Sequence, residues 1–292
     1  MKLAISTYSL SRWQREKKKS LLQTIDWIAD ADVQGIEFAG LETDRKGGAI
    51  RHAKAVRKKC EKRGLEVAGY CVPIELYGSS IYHRRITAQL KEHIDVAAEL
   101  GVKSMRHDVT AGPKNRGKKV SFNNVLNNVA PLIRRIAEYA QGKGIVTSLE
   151  NHGFYMQKAT RVKKLIKKVN HSNFRVTLDT GNFLCVNDDP VESVRSLAPY
   201  AVMVHLKDFH VKPKNQMPPD GWFATPSTIA LRGAILGHGD IDVPAQLRIL
   251  KKVGYDGYLS LEFEGVEEPT FAVKSGLKYL RSELKKIRRL HG

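Results

Sequence analysis

Short apolar runs alternate along the whole chain with longer stretches whose apolar positions recur every three to four residues. The first pattern predicts buried strands and the second amphipathic helices. Leu-Ala-Ile-Ser-Thr-Tyr at 3–8 reads as a first strand, followed by a helix over 21–31. Gly-Ile-Glu-Phe at 35–38 precedes a basic helix over 49–63, and the run 65–71 precedes a helix over 83–100. Val-Lys-Ser-Met-Arg at 102–106 precedes a helix over 123–143. Four more strands end at Glu150, Asp179, His205 and Glu262, with helical patterns over 158–168, 190–197, 243–253 and 267–288. At Gly64, Gly101, Gly144 and Gly254 a helix ends, a glycine follows and a strand begins, as expected where a left-handed residue closes a helix. Eight strand–helix units need a parallel sheet with right-handed crossovers, and eight even units close into a single-domain (β/α)8 barrel over 1–292. A doubly wound open sheet is the rival, but no GxGxxG follows the first strand. The Gly/Pro-rich segment 212–239 reads as a long loop after strand seven.

In a parallel barrel all strands open at their C-terminal ends on one face. Glu150, Asp179, His205 and Glu262 occupy those ends on strands five to eight, half of the rim. Three buried carboxylates would repel one another and lose hydration at several kcal/mol each. A divalent cation removes both difficulties. Three oxygens and one nitrogen suit near-octahedral Mn2+ first, with Mg2+ or Co2+ close behind and Zn2+ also accommodated.

Bulk composition adds limits. At 292 residues, with 42% hydrophobic and 27% charged positions, the chain is that of an ordinary globular protein. No apolar run is long enough to span a bilayer, and the N-terminus reads as a strand rather than a signal peptide. Cys60, Cys71 and Cys185 show no CxxC spacing, which favours a reducing, cytoplasmic location. The net charge of +19 raises the question of a nucleic-acid partner. The basic residues are spread over helical segments at 51–62, 161–168 and 278–289, however, as on ordinary solvated helix faces.

The segments around these residues resemble the xylose isomerase-like TIM barrels. That group includes sugar-phosphate isomerases and epimerases, ketose 3-epimerases, hydroxypyruvate isomerase, inosose dehydratase and endonuclease IV. The resemblance is carried by Ser-Leu-Glu-Asn-His-Gly at 148–153, Leu-Asp-Thr-Gly-Asn-Phe at 178–183 and Val-His-Leu-Lys-Asp at 204–208. It continues in Leu-Gly-His-Gly-Asp-Ile-Asp at 236–242 and Gly-Tyr-Asp-Gly-Tyr-Leu-Ser-Leu-Glu-Phe-Glu-Gly at 254–265. It implies that Glu150, Asp179, His205 and Glu262 bind a metal, and that Glu150 and Glu262 serve as acid/base pair. Endonuclease IV and the ketose epimerases carry a histidine where this chain has Asn182. The loss of that ligand argues against a multi-zinc nuclease and against a nucleic-acid partner. The His-x-Lys-Asp run at 205–208 looks most like the inosose dehydratase branch.

The reaction so implied is metal-dependent sugar isomerisation or epimerisation, in which a Lewis acid stabilises an enediolate formed by proton removal beside a carbonyl. A dehydratase acting on a keto-sugar or keto-inositol shares that first step. The expected partner is a small sugar or polyol; a homo-oligomer is compatible with the sequence but not read from it. His152, Lys207, His238, Asn182 and His107 are expected on the substrate side, with Lys207 and His152 as other proton carriers. For Lys207 and Asp208 an internal ion pair is the plain alternative. Arg106 and Asp108 end strand four on the same rim. Glu37 ends strand two and reads as structural, Tyr8 and Trp13 as sugar-stacking, core or lid residues. Glu264 should sit above the rim, outside the ligand set.

Overall fold

The computed structural model describes residues 1–41, 48–113 and 120–289. Its centre is a closed eight-stranded parallel barrel. In chain order the barrel strands are β1 (Lys2–Ser6), β2 (Gly35–Ala39), β3 (Glu66–Val72), β4 (Ser104–His107), β5 (Val146–Glu150), β6 (Phe174–Asp179) and β7 (Ala201–Leu206). Three further strands, β8 (Asp208–Pro213), β9 (Phe223–Ala224) and β10 (Ile229–Ala234), form a separate antiparallel sheet before β11 (Tyr258–Leu261) closes the barrel between β7 and β1. The helices around it are α1 (Ser11–Glu16), α2 (Leu21–Ala29), α3 (Gly48–Lys62), α4 (Ser80–Leu100), α5 (Phe122–Gln141), α6 (Ala159–Val169), α7 (Pro190–Leu197), α8 (Val243–Lys252) and α9 (Pro269–Arg289).

Local chemistry explains the joins. Side chains of Ser20, Ser79, Ser121, Asp189 and Asp242 accept from backbone N–H groups in the first turns of α2, α4, α5, α7 and α8. Gly64, Gly101, Gly144 and Gly254 have φ of 71°, 78°, 71° and 75°, the left-handed conformation that turns each chain from helix to strand. The apolar stripe of α5, from Val125 through Leu132 to Ala140, is buried against the barrel, as are those of α4 and α9.

The segment read as a loop over 212–239 is corrected by β8, β9 and β10. Only Lys207 separates β7 from β8, and β10 pairs with β8 from Ile229↔Pro213 to Ala234↔Asp208. Alternation is present in Asp-Phe-His-Val-Lys and Ile-Ala-Leu-Arg, but the Pro-rich connection between them dominates the sequence impression. The first strand also stops earlier than expected, and Thr7–Leu10 forms a 3-10 turn.

Candidate metal centre

Register brings the four strand-end residues together. Asp179 lies directly beside His205 where β6 pairs with β7. Glu150 ends β5 opposite Thr177. Glu262 is the residue after β11, held there by its N–H donating to the Leu206 carbonyl at 3.0 Å. One ligand atom from each of the four lies within 4.8 Å of every other, and the arrangement could hold a metal ion. Glu150, Asp179 and His205 are buried, with Glu262 at the edge.

His205 Nε2 lies 2.9 Å from Glu37 Oε1, and a carboxylate can only accept, so Nε2 carries the proton. Nδ1 faces Glu150 Oε1 (3.4 Å) and Glu262 Oε1 (3.7 Å), and once its proton is lost it offers a lone pair between two carboxylates. It is buried without a hydrogen-bond partner. Asp179 Oδ1 accepts from the N–H groups of Gly181 and Asn182, both at 2.8 Å. Its Oδ2 has no hydrogen bond, although Lys207 Nζ stands 3.3 Å away. Two buried potential ligand atoms without a hydrogen bond, gathered with two carboxylates, are what a cation site presents.

Glu37 is the residue that sequence reasoning undervalued. Fully buried, it accepts from His205, from Ser260 Oγ (2.7 Å) and from Cys71 Sγ (3.4 Å). Gly69 makes room for it, since a Cβ there would lie 3.1 Å from Glu37 Oε1. Burial alone would raise its carboxyl pKa, but His205 and the three hydrogen bonds outweigh that and hold it below the ordinary value. Burial likewise disfavours the His205 imidazolium, yet Glu37, Glu262 and Glu150 together hold its pKa well above normal. Asp179 is pushed up to about 6 by burial and by Glu150 and Glu262, against the pull of Lys207. Glu37, Cys71 and His205 also lie close enough to hold an ion, but Glu37 is already satisfied there.

A cavity of about 350 Å3 opens above these groups. Glu150 Oε2 accepts from Arg106 Nη2 (2.6 Å), which also binds Asp108 (2.8 Å). That guanidinium overcomes the effect of burial and keeps Glu150 ionised. Lys207 is buried, with Nζ at 2.7 Å from Glu262, 3.2 Å from Glu264 and 3.4 Å from Asn182 Oδ1. It does not pair with Asp208. Asn182 Nδ2 donates to Glu150 Oε1 at 3.2 Å. His152 is half exposed at the mouth, 3.6 Å from Asp108. Tyr8 and Glu264 line the other side.

Two expected substrate-side residues lie elsewhere. His107 is fully buried, stacked on Phe174 at 5.8 Å between ring centres, with Nδ1 facing the Asp108 carbonyl, and it is not among the cavity-lining residues. Strand alternation sends Arg106 inward and His107 outward. His238 is exposed and also outside the cavity lining. The glycines flanking it serve Asp208, whose Oδ2 accepts from both Gly237 and Gly239 N–H at 2.9 Å. A Cβ at Gly239 would lie 2.2 Å from Asp208 Oδ1. Trp13 packs on Trp27 at 6.2 Å.

Inosose dehydratase of Clostridium perfringens is 23% identical over 250 residues, covering 82% of this chain and 83% of that one. Another curated relative is matched over about half its length, 48%. A D-tagatose 3-epimerase-like protein superposes with a TM-score of 0.74 at 19% identity, covering 100% of both chains. The IOLI protein, solved with a bound zinc atom, gives a TM-score of 0.74 at 16% identity, covering 98% of this chain and 99% of that one. The family match spans residues 25–283, and the chain therefore belongs to the xylose isomerase-like TIM barrel family.

Proposed function

We propose that the chain is a divalent-metal-dependent sugar isomerase or epimerase, with Glu150, Asp179, His205 and Glu262 as ligands. The observation that carries this is that two buried atoms without a hydrogen bond, His205 Nδ1 and Asp179 Oδ2, cluster with the Glu150 and Glu262 carboxylates under an open cavity. A divalent ion held there would act as a Lewis acid, stabilising the charge that develops when a hydrogen beside a carbonyl is removed. Mn2+ suits the oxygen-rich set, and the zinc in the IOLI protein keeps Zn2+ in view.

The chain's own residues supply the proton transfers. Glu150 and Glu262 stand on strands separated by β6 and β7, so they approach a central carbon from two sides. Removal by one and return by the other inverts that carbon; return to its neighbour isomerises the sugar. Arg106 fixes the orientation of Glu150 and Lys207 that of Glu262. The test is solvent deuterium incorporation into a ketose by the Mn2+-loaded protein. Glu150→Gln and Glu262→Gln should each lower the rate by at least about 100-fold; full activity in either variant rejects its assignment.

One observation favours a second reading. The Lys207 ammonium lies beside Glu262, placed to protonate a departing hydroxyl, and the sequence similarity to inosose dehydratase covers most of the chain. Loss of water from a keto-inositol, followed by absorbance of the conjugated product, separates dehydration from epimerisation.

A further inference from the structure

We infer that Glu37, Cys71 and the Nε2 side of His205 form a second cation site, one that selects thiophilic divalent ions such as Zn2+ or Cd2+, and, resting here on the metal-dependent reading above, that filling it opposes ion binding at the four-residue centre. Three strands meet there, with Glu37 on β2, Cys71 on β3 and His205 on β7. One ligand atom from each lies within 4.8 Å of the others, and all three residues are buried. Ser260 Oγ holds Glu37 Oε2 at 2.7 Å, which leaves Oε1 to face the other two. That oxygen lies 2.9 Å from His205 Nε2 and 3.4 Å from Cys71 Sγ. Around a tetrahedral Zn2+ bound by sulfur, nitrogen and oxygen, such atoms stand roughly 3.3–3.6 Å apart. Only a small outward shift of the imidazole is needed.

Glu37 is satisfied in this arrangement by two protons, one on Nε2 and one on the thiol. A thiophilic cation displaces both, because coordination deprotonates a thiol and takes the Nε2 lone pair. Two positive charges arrive as two protons leave, so the buried carboxylate keeps a positive partner. A thiolate makes this set softer than the three carboxylates and imidazole above it, and that difference separates the ion preferences of the two sites. Cys71 and His205 both line the cavity, which supplies an entry path and a side on which water completes the coordination. The two sites share one ring. An ion on Nε2 leaves the remaining imidazole proton on Nδ1, facing Glu150 Oε1 at 3.4 Å and Glu262 Oε1 at 3.7 Å. A neutral imidazole has one lone pair, so none is then left for an ion among Glu150, Asp179 and Glu262. Each ion weakens the binding of the other by the same factor.

The test titrates the metal-stripped, full-length protein with Cd2+ and follows thiolate-to-metal charge-transfer absorption in the ultraviolet. The band should saturate at one thiolate per chain, disappear in Cys71→Ser, and persist when Cys60→Ser and Cys185→Ser are combined, which leaves Cys71 as the remaining thiol. No band in the unmodified protein, a band that survives Cys71→Ser, or one lost in the combined variant overturns the site. Saturating Mn2+ should raise the apparent Kd for Cd2+ at least about tenfold in the unmodified protein, and leave it unchanged in Asp179→Asn. An unaffected Kd in the unmodified protein, or an equal rise in the variant, overturns the opposition between the sites. Failure of the underlying reading is recorded separately, as absence of Mn2+ binding in a direct titration; it removes the opposition, while the Cd2+ band still decides the thiolate site.

Discussion

At the scale of single residues, the site depends on a pairing between positions 168 apart in sequence. Glu37 on β2 reaches across the barrel to His205 on β7 and decides which imidazole nitrogen faces the carboxylates. Such a carboxylate–histidine pair fixes the ring and raises its ligand strength. Glu37→Gln should therefore weaken metal binding by about 10- to 100-fold, measured by calorimetry; unchanged affinity would show that Glu37 only fills space. The pH dependence has a defined sign. Asp179 is raised to about 6, so its ionisation among Glu150 and Glu262 costs stability as pH climbs from about 4 towards 6 in protein stripped of metal. Metal binding needs that ionised carboxylate and a proton-free His205 Nδ1. Affinity should rise with pH through about 6 and continue to rise above it, because the His205 imidazolium persists above its ordinary range, with protons released on binding; a pH-independent affinity would contradict the assignment. The strand ends were legible because each acidic or imidazole group interrupts an apolar run. Glu37 was not, since nothing local distinguishes a carboxylate under the site from one at a surface. Neither was the inward or outward choice between Arg106 and His107, because strands covered on both faces lack alternation.

Among elements, the least expected is the β8–β10 sheet, an excursion leaving the barrel directly after His205 and Lys207. Asp208 ties it down: its carboxylate accepts from the N–H groups of Phe209, Gly237, Gly239 and Ile241. The Gly-His-Gly sequence thus records the close approach of a buried carboxylate, and a reading of it as a ligand contact drew on the right flexibility with the wrong partner. Asp208→Ala leaves four backbone donors without that acceptor and should destabilise the fold by about 3 kcal/mol or more. A thermal melt showing no change would mean the excursion is held by its strand pairing alone. The other joins were readable in advance, since Gly64, Gly101, Gly144 and Gly254 each take the positive φ that ends a helix.

Over the whole molecule, closure of eight parallel strands is what converts four separate strand ends into one cluster. That step was legible from unit counting, because regular alternation has few compact solutions. The helix α6 carries Arg161, Lys163, Lys164, Lys167 and Lys168 with no acid, while the cavity gathers carboxylates. Duplex DNA should accordingly leave ketose exchange unaffected; competitive inhibition by DNA would place a polyanion at the cavity instead. No helix among the described residues is long and apolar enough to cross a membrane. The central claim is that Glu150, Asp179, His205 and Glu262 hold one divalent ion, and calorimetric titration of metal-stripped protein with Mn2+ tests it most directly. The expected result is one ion per chain in the wild type and at least about a 100-fold loss of affinity in Asp179→Asn, which keeps the size of the side chain but removes its charge. No saturable binding, or equal affinity in the variant, would contradict the account.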